Sequence, residues 1–129
     1  MRVKRLGWVG TRTENAADTV NFFKDVLGLD MEKAGDDFWV GHLPDGGVLE
    51  VFGPASPYNR HFTTGPVVGF VVDNVDEGSA ALRRSGVEVF GPYRAEDGAA
   101  WVHFRAPDGR IYELTQGDDH SGDGLDRQR

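Results

Sequence analysis

The most constraining feature of this chain is a segment that occurs twice. Residues 38–52 and residues 101–115 align without a gap, and both contain Pro-Asp-Gly at the same position. Each copy is an apolar or aromatic run, the Pro-Asp-Gly turn, and a second apolar run interrupted by one glutamate. Proline presets φ for an early turn position and glycine accepts the positive φ that closes a tight reversal. Each copy is therefore predicted to be a β-hairpin, and the repeat predicts two similar modules.

The elements that precede the hairpins repeat as well. Before the first hairpin, β-branched residues predict a strand over Val3–Thr11. Apolar residues at helical spacing then predict a helix over Ala16–Leu27, and a further apolar run predicts a strand over Leu29–Lys33. Before the second hairpin the same order is predicted over Pro66–Asp73, Val75–Ser85 and Val87–Phe90. Gly28 and Gly86 follow the two helices, where a helix C-cap favours glycine. The predicted fold class is α+β, with two tandem βαβββ modules.

This order predicts a single domain over residues 1–116. Module one spans 3–52 and module two spans 66–116, and a linker rich in Pro, Ser, Asn and Thr joins them over 53–65. We predict that His61 in this linker is exposed. Residues 117–129 are rich in Asp and Gly, which predicts a disordered acidic tail.

Composition excludes several classes of function. The chain has 14 Lys and Arg against 21 Asp and Glu, a net charge of −7, which argues against nucleic acid or an anionic membrane as a partner. Cysteine is absent, so disulfides, thiolate metal sites and cysteine nucleophiles are excluded. The first six residues carry charge without an apolar stretch after them, so no signal peptide is expected and a cytoplasmic location is predicted.

Three segments carry a family resemblance. Phe22-Phe23-Lys24-Asp25-Val26-Leu27-Gly28-Leu29, the two Pro-Asp-Gly-x-x-x-Glu hairpins and Gly86-Val87-Glu88-Val89 resemble the vicinal oxygen chelate superfamily. That group includes glyoxalase I, methylmalonyl-CoA epimerase, extradiol dioxygenases, and bleomycin and fosfomycin resistance proteins. The resemblance implies curved mixed sheets that enclose a cup, and a homodimer. It does not imply one reaction, because the superfamily supports unrelated chemistries on one scaffold.

In metal-using members of that superfamily, each module supplies one metal ligand from its first strand and a glutamate from its fourth strand. Carried over position by position, the fourth-strand slots are Glu50 and Glu113, and the first-strand slots are Trp8 and Val67. Neither an indole nor an isopropyl group binds a metal ion. We therefore expect no cofactor, since Glu50 and Glu113 alone would suit only a loosely held divalent ion such as magnesium.

Alternation of side chains along the strands, together with the resemblance, predicts which residues face the cup. In extradiol dioxygenases a functional tyrosine precedes the metal-binding glutamate across the same turn, and His103 takes that slot here. The predicted ligand-binding residues are Trp8, Phe38, Val40, His42, Glu50, Val67, Trp101, His103, Arg105 and Glu113. Trp39 follows Phe38 directly, so its side chain should point to the opposite face of the sheet and pack beneath a helix.

Two classes of function compete for this cup. The first is binding of a small, partly aromatic ligand without a tightly held metal, as the resemblance to antibiotic-binding resistance proteins implies. The second is an enzyme, either metal-dependent through Glu50 and Glu113 or metal-free, with His103 and Glu113 as the catalytic residues. A plainer interpretation leaves His103 as a pocket-lining residue that hydrogen-bonds Glu113. A third alternative, an interaction module without a ligand, would be favoured by a filled cup.

Overall fold

A computed structural model describes residues 1–63 and 65–117 of the chain. Its eight strands are β1 (Val3–Arg12), β2 (Asp30–Gly35), β3 (Phe38–His42), β4 (Val48–Phe52), β5 (Val67–Val72), β6 (Val89–Arg94), β7 (Ala100–Arg105) and β8 (Ile111–Gln116). Its two helices are α1 (Ala16–Asp25) and α2 (Val75–Arg84). Along the described chain the elements follow the order βαβββ twice. The predicted tail lies outside the described residues beyond Gly117.

The strands form one open, mixed, eight-stranded sheet in the order β2-β3-β4-β1-β5-β8-β7-β6. Within each module the first strand pairs in parallel with the fourth, and β1 and β5 pair antiparallel at the centre. The α+β fold class is confirmed. The sheets of the two modules are continuous with each other because β1 and β5 each have a partner on both sides.

The two hairpins have the predicted turns. In the first, the Leu43 N–H donates to the Gly47 carbonyl at 2.8 Å and Gly46 has φ of 88°. In the second, the Ala106 N–H donates to the carbonyl four residues on at 2.9 Å, and Gly109 has φ of 83°. Positive φ at these two positions is the conformation that glycine adopts without steric cost. Identical turns give both hairpins the same register.

Both helices pack on the same face of the sheet, one on each module. Val20 of α1 packs with Met31 and Val51, and Trp39 lies against this cluster, as predicted. The helix α2 begins at a cap in which the Asn74 side chain accepts a hydrogen bond from the Glu77 N–H at 2.9 Å. Within the described ranges, neither helix has the length and apolar character needed to cross a bilayer.

Several predicted boundaries differ from the structure by one to four residues, among them the ends of α1 and β6. The helix α1 ends at Asp25 rather than Leu27, which leaves Leu27 55% exposed. The strand β6 continues to Arg94 instead of ending at Phe90, because Tyr93 pairs with Trp101 on β7 after a register shift. Pairing with a neighbouring strand here outweighs the local Gly-Pro signal that predicted a loop.

Candidate functional site

The strand pairing brings the predicted cup residues to one face of the sheet. Residues that pair in register point to the same side, and the pairs Trp8–Gly69, Gly69–Glu113 and Glu113–His103 connect three strands of that face to β1. The pair Val40–Glu50 adds the equivalent position of the first hairpin. We call this surface, opposite the helices, the cup face.

Most of the predicted residues are fully buried on this face. Glu50, His103 and Glu113 have no exposed surface. The buried aromatic and apolar members are Trp8, Phe38, Val40, Val67 and Trp101. Two predicted residues are not buried with the others: His42 is exposed at the end of β3, and Arg105 lies at the rim, where its Nε donates to Glu88 at 3.0 Å.

His103 and Glu113 form the polar centre of module two. They lie opposite each other on β7 and β8, and His103 Nε2 is 2.8 Å from Glu113 Oε1. A carboxylate only accepts hydrogen bonds, so we assign the hydrogen on Nε2 to His103. The second ring nitrogen, Nδ1, then carries a lone pair on the neutral imidazole.

His61 joins this pair, although the linker position predicted it to be exposed. Its Nε2 lies 2.8 Å from His103 Nδ1, so Glu113, His103 and His61 form one hydrogen-bonded chain. The His61 ring also stacks on Phe90, with centroids 4.5 Å apart and planes at 9°. The predicted exposure of His61 was wrong because the linker folds over the cup face instead of running free in solvent.

The surroundings of His61 hold its imidazole neutral. Burial first, and then the positive charges of His103 when it is protonated, of Arg105 and of Arg12, lower the pKa of His61 from its usual 6.5 to about 4, against a smaller opposing effect of Glu113. A neutral His61 with a hydrogen on Nε2 donates to His103 Nδ1. Because the Glu113 carboxylate only accepts, both histidines then carry their hydrogen on Nε2.

One arginine at the end of β1 holds the linker in place. Arg12 Nη1 donates to the carbonyl of Gly53 at 2.7 Å and to that of Ser56 at 3.4 Å. Its Nη2 donates to the carbonyls of Tyr58 and Asn59. Four bonds to one guanidinium explain why a segment rich in turn residues has a defined path. The sequence signal for this packing was the presence of aromatic residues in an otherwise polar linker.

The linker fills the middle of the cup with an aromatic ring. Phe62 is 1% exposed, and its ring centroid lies 4.9 Å from that of His103, 5.8 Å from that of Phe52 and 5.9 Å from that of Trp8. A ligand in the cup would contact the same three rings. Phe62 therefore fills the space between these three rings.

Glycines leave room for the Trp8 ring and for the Glu113 carboxylate. A Cβ at Gly10 would lie 2.2 Å from the Trp8 ring, and one at Gly69 would lie 3.0 Å from Glu113 Oε2. The indole thus lies flat over β1, and the carboxylate lies over β5. These contacts place Trp8 beside the polar centre of module two.

A separate cavity of about 400 Å³ lies between α1 and the central strands. Its lining is almost wholly apolar and includes Leu6, Val9, Phe23, Leu27, Leu49 and Val68. None of Glu50, His103 and Glu113 lines this cavity. Trp8, one of the predicted cup residues, also lines this cavity, so the cavity borders the cup at Trp8 but leaves out its buried polar residues.

The residues of the cup do not fit a tightly bound transition metal. Trp8 and Val67 lie on the cup face at the two first-strand slots, and an indole N–H is a donor without a lone pair for a metal. Glu50 and Glu113 lie on β4 and β8, with two strands between them. Among the residues that the structure describes, no group of three or more His, Asp or Glu could hold a metal ion. A closed site for Zn²⁺ requires about four such ligands.

Solved structures with the same fold resemble the chain over most of its length. Methylmalonyl-CoA epimerase from Mycobacterium tuberculosis gives a TM-score of 0.67 at 17% identity, covering 91% of this chain and 90% of that one. A variant of the Streptomyces coelicolor methylmalonyl-CoA epimerase, in complex with 2-nitronate-propionyl-CoA, gives a TM-score of 0.64 at 20% identity. That match covers 92% of this chain and 100% of that one. A hypothetical protein from Bacillus halodurans gives a TM-score of 0.65 at 17% identity, covering 91% of this chain and 96% of that one. At such identities the likeness shows the fold alone.

Comparison of the sequence itself with known proteins gives two results. No curated protein matches the chain. The model of one protein family matches residues 5–114, a range that holds both helices, the first hairpin and most of the second. This match confirms the resemblance: the chain belongs to the Glyoxalase/Bleomycin resistance protein/Dioxygenase superfamily.

Proposed function

We propose that this protein binds a small, partly aromatic molecule in the cup, without a tightly bound metal ion. The observation that carries the proposal is the complete burial of Glu50, Glu113 and His103 among aromatic rings. Burial of ionisable groups is costly, and such groups concentrate at functional sites. An apolar wall with a few convergent polar groups is the usual composition of a small-molecule site.

The position of Phe62 specifies how a ligand would bind. Because the Phe62 ring contacts both Trp8 and His103, a ligand reaches these residues only when Phe62 leaves the cup. A ligand with an aromatic ring replaces the contacts that Phe62 loses. The bonds from Arg12 end at Asn59, and the Phe62 N–H donates to the Asn59 carbonyl at 2.9 Å, so release of the ring requires rotation of the Phe62 side chain or opening of this turn.

The three tryptophans allow a direct test by NMR. We expect benzoylformate, an aromatic carboxylate, to shift the indole N–H signals of Trp8 and Trp101, which lie on the cup face. The signal of Trp39, which packs with the α1 cluster on the opposite face, should not move. A shift confined to Trp39, or no shift at millimolar ligand, would contradict binding in the cup.

A matched pair of variants sharpens this test. Phe62→Ala removes the ring that competes with the ligand and should strengthen benzoylformate binding. Phe22→Ala removes a ring that is 51% exposed on α1 and should leave binding unchanged. Equal affinities of both variants and the unmodified protein would support the alternative of an interaction module with a permanently filled cup.

An enzyme is the second candidate, favoured by the hydrogen bond between His103 and Glu113. An imidazole oriented by a carboxylate is the arrangement that general acid–base catalysis uses. The metal-dependent version has less support, because Glu50 and Glu113 would need substitute ligands and His103 is already bonded to Glu113. Metal-free proton transfer is therefore the version that the geometry favours.

A further inference from the structure

Three ionisable side chains from three separate segments form one hydrogen-bonded chain that ends at the edge of the cup. Glu113 and His103 are fully buried, whereas His61 on the linker is only partly buried. We propose that His61 is the residue that accepts a proton from a bound aromatic carboxylate with an acidic C–H bond, and that the chain is a metal-free proton-transfer enzyme. The proposal rests on ligand binding in the cup, as proposed above.

The proton that leaves the ligand is accepted within these three residues. The C–H bond of the ligand breaks, its electron pair stays on the ligand as an enolate, and the proton binds His61 Nδ1. His61 then gives its Nε2 proton to His103 Nδ1, and His103 gives its Nε2 proton to Glu113 Oε1. Both imidazoles end neutral in the opposite tautomer, and Glu113 ends protonated. Reversal of the three transfers returns the proton to the ligand.

The relay explains how a weakly basic imidazole can take part. A pKa of about 4 for His61 keeps its ring neutral near pH 7 but makes it a poor base by itself. The two distances of 2.8 Å connect it to a buried carboxylate, which becomes the final acceptor. Proton transfer to Glu113 also neutralises a charge that is out of contact with water, and it requires no co-reactant.

The charges around His61 select an anion. The whole chain carries −7, yet Arg105 and Arg12 are both close enough to lower the pKa of His61. The Arg105 guanidinium lies at the rim, 6.0 Å from the centre of the Phe90 ring, and Phe90 stacks on His61. An aromatic carboxylate can place its carboxylate at the guanidinium and stack its own ring on the Phe90 side of the cup. This combination favours an aromatic carboxylate over a neutral or cationic ligand.

Phenylpyruvate is the probe, because it is an aromatic carboxylate whose C-3 hydrogens exchange through an enol. Exchange in D₂O is followed by proton NMR with the full chain, and the uncatalysed rate is subtracted. We expect saturable acceleration by the unmodified protein. His61→Asn and Glu113→Gln should each lower the maximal rate about 100-fold. Arg105→Met should mainly raise the phenylpyruvate concentration needed for half-maximal rate, because Arg105 holds the carboxylate rather than moving the proton.

Asp25→Asn is the control, since Asp25 is exposed at the end of α1, on the face opposite the cup, and lies outside the hydrogen-bonded chain; its rate should equal that of the unmodified protein. Circular dichroism verifies that each variant folds, and Glu113→Gln serves if His61→Asn does not fold. Equal rates for His61→Asn and the unmodified protein would overturn the role of His61. If phenylpyruvate shifts the Trp8 and Trp101 signals without accelerated exchange, ligand binding stands and the catalytic proposal fails. If phenylpyruvate neither shifts these signals nor exchanges faster, the assigned substrate class is wrong.

Discussion

His103 Nε2 lies 2.8 Å from Glu113 Oε1, directly across the second hairpin. The equivalent pair in the first hairpin is Val40 and Glu50, which lie opposite each other in the same register. Valine offers no hydrogen bond, so the two copies of the repeat share a backbone but differ in chemistry. The proposed proton-transfer centre is built from module two and His61 of the linker, and module one supplies a carboxylate and apolar wall.

Two substitutions of Glu113 should distinguish how its hydrogen bond to His103 and its negative charge each contribute to the free energy of unfolding. Glu113→Ala leaves buried His103 without this acceptor and should lower the free energy of unfolding by about 3 kcal/mol. Glu113→Gln keeps an acceptor oxygen of similar reach and should cost about 1 kcal/mol. Glu88→Gln, at the exposed ion pair with Arg105, should change stability by less than about 0.5 kcal/mol. Urea denaturation measures all three, and equal losses for Glu113→Ala and Glu113→Gln would contradict the pairing with His103.

Gly10→Ala should disturb the cup through Trp8. The added methyl group would lie 2.2 Å from the indole ring, so the ring must move out of its position. We expect a loss of about 2 kcal/mol in unfolding free energy and a change in tryptophan fluorescence. Gly65→Ala is the matched control, because no atom lies within 4 Å of a Cβ there. A Gly10→Ala protein with unchanged fluorescence would show that Trp8 does not lie over β1.

Stability should fall at acidic pH partly through His61. Its pKa is about 4 in the folded protein and near 6.5 when unfolded, so the unfolded state binds more protons between these values. The contribution of His61 is fully present above pH 6.5 and is lost as pH falls towards 4. The titratable and charged groups that act on it are His103, Arg105, Arg12 and Glu113.

Urea unfolding midpoints between pH 7.5 and pH 4, on the order of one pH unit apart, test this dependence. The midpoint of the unmodified protein should fall more steeply than that of His61→Asn across the interval. His42→Asn should retain the steep fall, since His42 is exposed. Parallel curves for the unmodified protein and His61→Asn would show that His61 is not held neutral by the fold.

The repeat made much of the fold predictable. Two hairpins with the same turn and the same glutamate specify register, and register specifies which side chains share a face. Register, together with the family resemblance, brought Trp8, His103 and Glu113 to one surface, as the strand pairing shows. Homodimer formation and a cytoplasmic location stay predictions.

The path of the linker could not be predicted in the same way. Strands and helices have periodic patterns, whereas a loop is positioned by single long-range contacts such as those from Arg12 to Gly53 and Tyr58. Proline, serine and asparagine indicated an exposed segment, yet Phe62 is buried and His61 reaches His103. The residue that completes the proposed relay was missed for this reason.

We propose that Trp8 and Val67 stand at the first-strand positions where metal-using members of the superfamily carry metal ligands. A double variant designed to bind a metal ion offers a positive control. Trp8→His together with Val67→His places two imidazoles on the cup face beside Glu50 and Glu113. This double variant should bind one Zn²⁺ or Co²⁺ per chain, and addition of Glu113→Gln should weaken that binding. Either single substitution alone should hold the metal less tightly.

The most direct measurement is elemental analysis of the unmodified protein, purified without chelator and compared with the double variant. We expect substoichiometric Zn, Ni, Mn and Fe in the unmodified protein and about one equivalent of metal in the variant. Close to one equivalent of any of these metals in the unmodified protein would contradict this expectation.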